Sequence, residues 1–434
     1  MEHQEALLTN DAVVFGLLAI TLGAIFYTTQ SSHPFWRRFY TYVPALLLCY
    51  FIPSLYNTFG IIDGSASNLY YMASRYLLPA ALILLTLSID LQAIARLGRK
   101  AVIMFLTGTF GIVIGGPLAI LLFSVIAPDV VGGAGPDAVW RGMTTIAGAW
   151  IGGGANQAAM KEVFEVGDAL FSQMVTVDVI IANIWMAVLL FMAARADKLD
   201  AKIHADTSAI DHLRRKVEAF QAEHARIPVL SDLMYIAAIG FGLTGLSHFI
   251  GNWAGTGLGA LAAESKRQVS AGMEPAVDWR WLSDFSLDST FFWLIVLATT
   301  FGIILSFTKV KLIEGAGASK IGSVFIYVLV ATIGMHMDIT AVFSNPGLFA
   351  VGAVWMTIHA ALMLIVARVI RAPTFYMAVA SQANVGGAAS APVVASAFHP
   401  SLAPVGVLLA VLGYALGTYA AYLCGQLMRI VAVN

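Results

Sequence analysis

The sequence predicts an all-α polytopic membrane protein of two inverted repeats, each with five transmembrane helices and a glycine-rich re-entrant hairpin. The prediction rests on composition, on ten apolar segments and on two matching glycine-rich breaks. Of the 434 residues, 59% are hydrophobic and 11% are charged, whereas a soluble domain carries roughly 25% charged residues. The composition therefore places the chain in a membrane.

Ten segments are long and apolar enough to cross a bilayer, which takes about 20 residues. Those of the first half lie near 11–29, 39–57, 71–91, 101–127 and 170–194, and those of the second half near 231–252, 288–308, 318–338, 347–368 and 404–428. A glycine-interrupted stretch, 141–165 or 373–398, separates the fourth and fifth segments of each half. These stretches are the predicted hairpins.

Each hairpin contains small residues and amides where a spanning helix should continue. Lipid does not solvate backbone amides, so a broken helix must be buried in protein or line a watery cavity. Matching breaks in two halves indicate a transport site. The predicted substrate-binding residues are Gly152, Gly153, Gly154, Asn156, Gln157, Ser381, Gln382, Asn384, Gly386, Gly387 and Ser390. The alternative is that the glycines only form a helix-packing surface of small residues. Side-chain amides flank both breaks, and this favours a binding site over the packing surface.

Charge favours a topology with both termini outside. If both stretches are re-entrant, more of the 24 lysines and arginines lie inside than in the alternative, in which both stretches cross the membrane fully. The positive-inside rule therefore favours re-entrant hairpins. Residues 1–195 then form the first repeat, 196–228 a cytoplasmic linker and 229–434 the second repeat. The linker is expected to contain an amphipathic helix from about Ser208, and residues of about 253–285 are expected to form a long loop.

Acidic residues in or near the spans are candidates for ion coupling. Asp178 lies well inside a span, where a carboxylate suggests function by default; the alternative is a carboxylate bonded to a neighbouring helix. Thr176 and Asn183, polar residues of the same segment, are further candidates for ion coupling. Asp90 and Asp338 lie in similar sequence surroundings at the end of the third span of each half. Because each closes a span, helix termination and ion binding are equally favoured interpretations.

Several function classes are not indicated. The sequence has no zinc-type His/Cys spacing, no Gly-x-Ser-x-Gly elbow and no lysine after a phosphate-binding glycine loop, so we predict no enzyme, no cofactor and no metal beyond a coupling Na⁺. A net charge of −1 suggests no nucleic-acid partner. Cys49 and Cys424 are predicted to be buried apolar residues.

At its two breaks the chain resembles the YjcL-like family of uncharacterised membrane proteins, which is similar to bacterial sodium/glutamate and sodium/citrate symporters of the cation–proton antiporter and anion transporter superfamily. The resemblance rests on hydropathy over the whole length, on Gly152–Gln157 and on Val385–Ser390. It implies inverted repeats, re-entrant hairpins, and a mobile transport domain that slides against a dimeric scaffold.

The function expected from these features is secondary active transport of a small organic anion or amino-acid-like solute. Symport with Na⁺ or H⁺ would use an elevator-type alternating-access mechanism in the cell (inner) membrane. Expected partners are the solute, the lipid bilayer and a second copy of the chain. The alternative is a cation/proton antiporter or a channel, with Asp178 as the central carboxylate.

Overall fold

The computed structural model describes residues 7–43, 45–64, 66–87, 98–205, 227–336, 345–399 and 402–432, and throughout these ranges the regular structure is helical. The helices of the first half are α1 (Asp11–Thr29), α2 (Pro34–Tyr42), α3 (Ala45–Thr58), α4 (Leu69–Leu87), α5 (Arg99–Ile126), α6 (Val139–Val163), α7 (Asp168–Ala193) and α8 (Ala196–Ile203). Those of the second half are α9 (Leu230–Ser270), α10 (Thr290–Ser306), α11 (Ala318–Gly334), α12 (Gly347–Val369), α13 (Thr374–Val385), α14 (Gly387–Phe398) and α15 (Ala403–Val431).

Within the described ranges, seven helices are long and apolar enough to cross a membrane. An eighth arises if α10 and the 3₁₀ turn Lys309–Ala316, which meet at 97°, count as one span. Helices α3 and α11 are shorter, with 14 and 17 residues. An all-helical, multi-pass membrane protein is therefore confirmed. Asp90, Asp338 and the predicted linker helix lie outside the described residues.

The loop expected at about 253–285 begins later than predicted, because α9 continues for 41 residues to Ser270. Glycine normally weakens a helix interior, which is why this glycine-rich stretch suggested a loop. Here the glycines serve packing: a Cβ on Gly255 would lie 2.7 Å from Thr290 Cα at the start of α10. Tertiary contact with α10 therefore outweighs local propensity.

The helices divide into two bundles. Helices α1, α3, α4, α9, α10 and α11 pack on one another, and we name them the flanking bundle. Helices α5, α6, α7, α12, α13, α14 and α15 form the break bundle, which contains both glycine-rich stretches. The main contacts between the bundles join α6 and α15 to α4, α10 and α11. Each half of the chain thus contributes its first three spans to one bundle and the rest to the other.

Glycines allow α6 and α15 to pack at backbone distance in the break bundle. A Cβ on Gly417 would lie 2.6 Å from Gly152 Cα, which is closer than atoms can approach. Gly242 on α9, in contrast, has no neighbouring atom within 4 Å of its Cβ position.

We predict that Gly417→Ala lowers stability by about 1–3 kcal/mol, since an extra methyl group in a packed core forces the helices apart. Gly242→Ala is the matched control and should be neutral or slightly stabilising, because alanine favours helix. Thermal unfolding of the purified protein in detergent measures both variants. Equal midpoints for the two would contradict the close packing of α6 and α15.

Candidate functional site

The two glycine-rich breaks lie next to each other in the break bundle. Gly153 interrupts α6 with a φ of 72° and a ψ of −171°, and Gly387 begins α14 with a φ of 59°. Such positive φ angles favour glycine, which has no Cβ to clash. The Cβ position on Gly387 lies 3.8 Å from Gly153 Cα. The two interruptions therefore share one place in the fold.

In each glycine-rich stretch, a residue near the beginning contacts a residue near the end. In α6, Nη1 of Arg141 donates to the carbonyl oxygen of Phe164 at 2.6 Å. In the second stretch, the rings of Phe375 and Phe398 pack with centroids 5.3 Å apart.

A cavity of about 80 Å³ lies at the breaks, between the two bundles. It has room for two or three waters at about 30 Å³ each, or for an ion with a water. Its lining comes from both breaks, α4, α11 and α15: Leu85, Gly153, Gly154, Ala155, Ser323, Ile326, Tyr327, Gly386, Gly387 and Tyr414. Of the predicted substrate-binding residues, Gly153, Gly154, Gly386 and Gly387 line this cavity.

Asn156 holds the first break in place. Its amide donates to the carbonyl oxygens of Gly152 and Tyr414, both at 3.1 Å. Its Oδ1 accepts from Thr418 Oγ1 at 2.7 Å, and Thr418 in turn contacts Thr299 of the flanking bundle at 3.0 Å. Every polar atom of the Asn156 amide is therefore bonded within the protein.

Asn384 plays the same part at the second break. Its amide donates to the carbonyl oxygens of Phe105 and Ala380, at 3.1 and 3.0 Å. Its Oδ1 accepts from Thr109 Oγ1 at 2.8 Å. In both breaks an asparagine thus bonds a carbonyl one turn earlier, a carbonyl of a neighbouring helix and a threonine of that helix. The structure places both as packing residues in this conformation.

Gln382 differs from the asparagines, because it has an acceptor to spare. The side chain is buried, and its Nε2 donates to Ser390 Oγ at 2.7 Å across the break. Its Oε1 is buried without a hydrogen-bond partner. The amide also lies at Gly386, whose Cβ position is occupied by Gln382 Nε2 and Ser390 Oγ. A buried amide oxygen without a partner costs about 1–3 kcal/mol, so it is a natural place for a bound ligand.

Asp178 faces the first break. Its Oδ1 accepts from Trp150 Nε1 at 2.7 Å, and its Oδ2 accepts from Gln157 Nε2 at 3.1 Å. Tyr50 of the flanking bundle donates to Gln157 Oε1 at 3.3 Å. Among the described residues, no basic side chain forms an ion pair with this buried carboxylate, and no group of three metal-ligating side chains occurs. Two neutral donors therefore hold Asp178.

Thr176 and Asn183 do not join this network. Thr176 Oγ1 donates to the carbonyl of Ser172, and Asn183 Nδ2 donates to the carbonyl of Val179, each one turn earlier in α7. Such bonds satisfy a polar group inside its own helix. Of the three residues proposed in this span, the structure brings only Asp178 to a break.

His359 belongs to the second break, which the sequence analysis missed. Its Nδ1 donates to the carbonyl oxygen of Gly108 at 3.1 Å, so its Nε2 accepts from Ser381 Oγ at 2.8 Å. Ser381 also accepts from Trp185 Nε1 at 2.8 Å. Trp185 lies two turns after Asp178 on α7, so one helix face serves both breaks. Only the i, i+7 spacing of Asp178 and Trp185 hinted at this arrangement.

A second, larger cavity of about 740 Å³ lies where α6 begins and ends, beside the ends of α9 and α15. Its lining carries both signs of charge: Arg141, Lys266, Arg280 and Arg429 with Glu165, Asp278 and Asp288. Hydrogen bonds from Arg280 lower the pKa of Asp278 to about 2, so this carboxylate stays charged at neutral pH. The mixed charges do not favour one sign of solute here.

Comparison with known proteins agrees with the membrane fold. The chain is 24% identical over 381 residues to the uncharacterized membrane protein YjcL of Bacillus subtilis (strain 168), an alignment that covers 83% of this chain and 84% of the relative. Residues 16–431 match the family described as protein of unknown function (DUF819). Because this match covers nearly the whole length, the chain belongs to that family of membrane proteins.

Proposed function

We propose that the protein is a secondary active transporter of a small organic anion or amino-acid-like solute, driven by Na⁺ or H⁺ symport. The observation that carries the proposal is the meeting of two broken helices at a cavity between two bundles. Freed backbone amides and carbonyls at such breaks suit anionic groups and cations respectively. The unpartnered Oε1 of Gln382 adds a buried side-chain acceptor next to Gly386, which lines this cavity.

Helix contacts support two related repeats. Helices α4 and α11, the third spans of the two halves, contact each other, as do the fourth spans α5 and α12. The contact of α1 with α11 has a counterpart in α9 with α4, and that of α3 with α11 has one in α10 with α4. Each break also packs on both fifth spans, α7 and α15. A two-fold relation between the halves predicts this exchange of partners.

Charge and contacts also support hairpins that enter from opposite sides. The base of the first hairpin is beside Arg141 and Arg429, which lie outside in the topology that the positive-inside rule favours. The base of the second hairpin is beside Arg371, whose carbonyl accepts from Lys100 Nζ at 2.8 Å. Both Arg371 and Lys100 lie inside in that topology. The tips meet at Gly153 and Gly387. An inverted repeat has this arrangement.

Elevator movement fits the division into bundles. The break bundle contacts the flanking bundle mainly through α6 and α15, and the small cavity lies within this contact. Sliding of one bundle against the other would carry the cavity across the membrane without separating the breaks. In this arrangement the third spans α4 and α11 belong with the flanking spans.

A cation/proton antiporter is the second candidate, and Asp178 favours it. A buried carboxylate that has only neutral donors is suited to exchange a proton or hold a cation. A symporter moves the ion in the same direction as the solute, whereas a cation/proton antiporter exchanges a cation for a proton without a solute, so transport measurements separate them.

Removal of the Gln382 amide should lower gradient-driven uptake at least tenfold, because the ligand loses an acceptor in a dry site. Gln382→Ala is compared in proteoliposomes with Ser396→Ala, whose hydroxyl donates only to the carbonyl of Pro392 in its own helix. A metabolite panel with imposed Na⁺ or H⁺ gradients provides the readout. Unchanged uptake by Gln382→Ala would remove this residue from the site.

Neutralisation of Asp178 distinguishes the coupling ions. Asp178→Asn keeps the shape and the contact with Trp150 but cannot carry a proton, so uptake driven by a pH gradient should be abolished. Uptake driven by a Na⁺ gradient should persist if Asp178 carries only protons. Thr176→Val on the same helix is the control, and full proton coupling in Asp178→Asn would contradict a role for this carboxylate.

A disulfide between the bundles should stop transport reversibly. Thr299 and Thr418 have hydroxyls 3.0 Å apart across the contact of α10 and α15, which is close enough for the paired cysteines to form a bond of about 2.05 Å. The oxidised double-cysteine variant should lose uptake and regain it on reduction. The two single-cysteine variants are controls, and full uptake by the oxidised pair would exclude sliding at this contact.

A further inference from the structure

We infer that Glu162, held by Tyr70 and Arg75, forms a latch that fixes the break bundle against the flanking bundle and opens in each transport cycle. This inference rests on the proposed movement of the bundles. Glu162 is near the end of α6 in the break bundle, whereas Tyr70 and Arg75 are in α4 of the flanking bundle. The contact therefore joins the two bodies that the elevator mechanism moves apart.

Both oxygens of the Glu162 carboxylate are engaged. Arg75 Nη1 donates to Oε2 at 2.8 Å, and the hydroxyl of Tyr70 donates to Oε1. The side chains of Arg75 and Glu162 are 26% and 14% exposed. An exposed surface ion pair contributes little, but this one is largely shielded and has a hydrogen bond at each oxygen. It can therefore bias the position of the break bundle.

The flanking bundle holds Arg75 ready for this contact. Residues Ala73–Leu77 form a turn of π-helix within α4, a local widening that often occurs at functional sites. The carbonyl of Arg75 accepts from His248 Nε2 at 2.8 Å, and the guanidinium lies over the ring of Phe291 at 4.2 Å. Helices α9 and α10 thus fix both ends of the arginine. A purely local ion pair would need none of these supports.

The break bundle supplies a second cation beside the latch. Lys161 Nζ donates to the hydroxyl of Tyr70 at 3.2 Å and pairs with Asp168 at 2.9 Å. The phenol oxygen of Tyr70 therefore accepts a hydrogen bond from Lys161, while its hydroxyl donates one to Glu162. Lys161 also lies 3.8 Å from Glu162 Oε1, so Lys161, Asp168 and Glu162 together leave the break bundle one net negative charge at this contact, which faces the flanking bundle. Separation of the bundles exposes one acid and one base to water, where each is solvated.

The test uses the disulfide between Thr299→Cys and Thr418→Cys, which forms when the two bundles are in contact as they are in this structure. Glu162→Gln should slow formation of this disulfide about fivefold or more, the usual scale of coupling between two sites. The charge swap Arg75→Glu with Glu162→Arg should restore part of the rate. It renews the ion pair but loses the contact of Arg75 with Phe291 and the hydrogen bond from Tyr70. Glu264→Gln is the matched control, since Glu264 pairs with Arg267 within α9 and joins no bundles.

Tyr70→Phe keeps the ring but removes one hydrogen bond, so it tests the latch if Glu162→Gln fails to fold. It should slow formation of the disulfide less than Glu162→Gln does. Wild-type rates in Glu162→Gln and Tyr70→Phe would overturn the latch. That result is independent of the proposed function, which fails instead if wild-type protein shows no gradient-driven uptake. A slowed disulfide in the presence of normal folding and a partly restored rate in the charge swap support the latch.

Discussion

The structure depends on a single constraint: backbone groups released by a broken helix cannot be left to lipid. Two breaks, at Gly153 and Gly387, come together so that each covers the other. Helix α15 closes over the first break through Asn156, and helix α5 closes over the second through Asn384. The division into two bundles follows, because these helices must stay with the breaks they cover.

The two breaks are alike in their asparagines but differ in their titratable partners. The first faces the carboxyl group of Asp178, and the second faces the imidazole of His359 through Ser381. Asp178 and Trp185 lie on one face of α7, which brings Asp178 to the first break and Trp185 to the second. The two breaks thus have unequal chemistry, as expected if solute and coupling ion bind at different places in the proposed transporter.

The apolar segments and the breaks could be predicted from the sequence, because both are local signals: a run of apolar residues and a cluster of glycines. The extension of α9 to Ser270 could not, since contact of Gly255 with α10 decides it. Asn156 and Asn384 belong to the breaks by their position in the sequence, but which way each amide points depends on neighbours distant in sequence. His359, Tyr70 and Glu162 gave no local signal, because their importance arises only from partners on other helices.

The proposed transport depends on movement of the break bundle relative to the flanking bundle. Spin labels on Ile304 of α10 and Leu423 of α15, both 53% exposed, report the distance between the bundles, and a pair on Ile304 and Phe249 reports a distance within the flanking bundle. We expect two distances for the first pair, with populations that shift when solute and coupling ion are added, and one unchanged distance for the second. A single distance for the first pair under all conditions would contradict this movement.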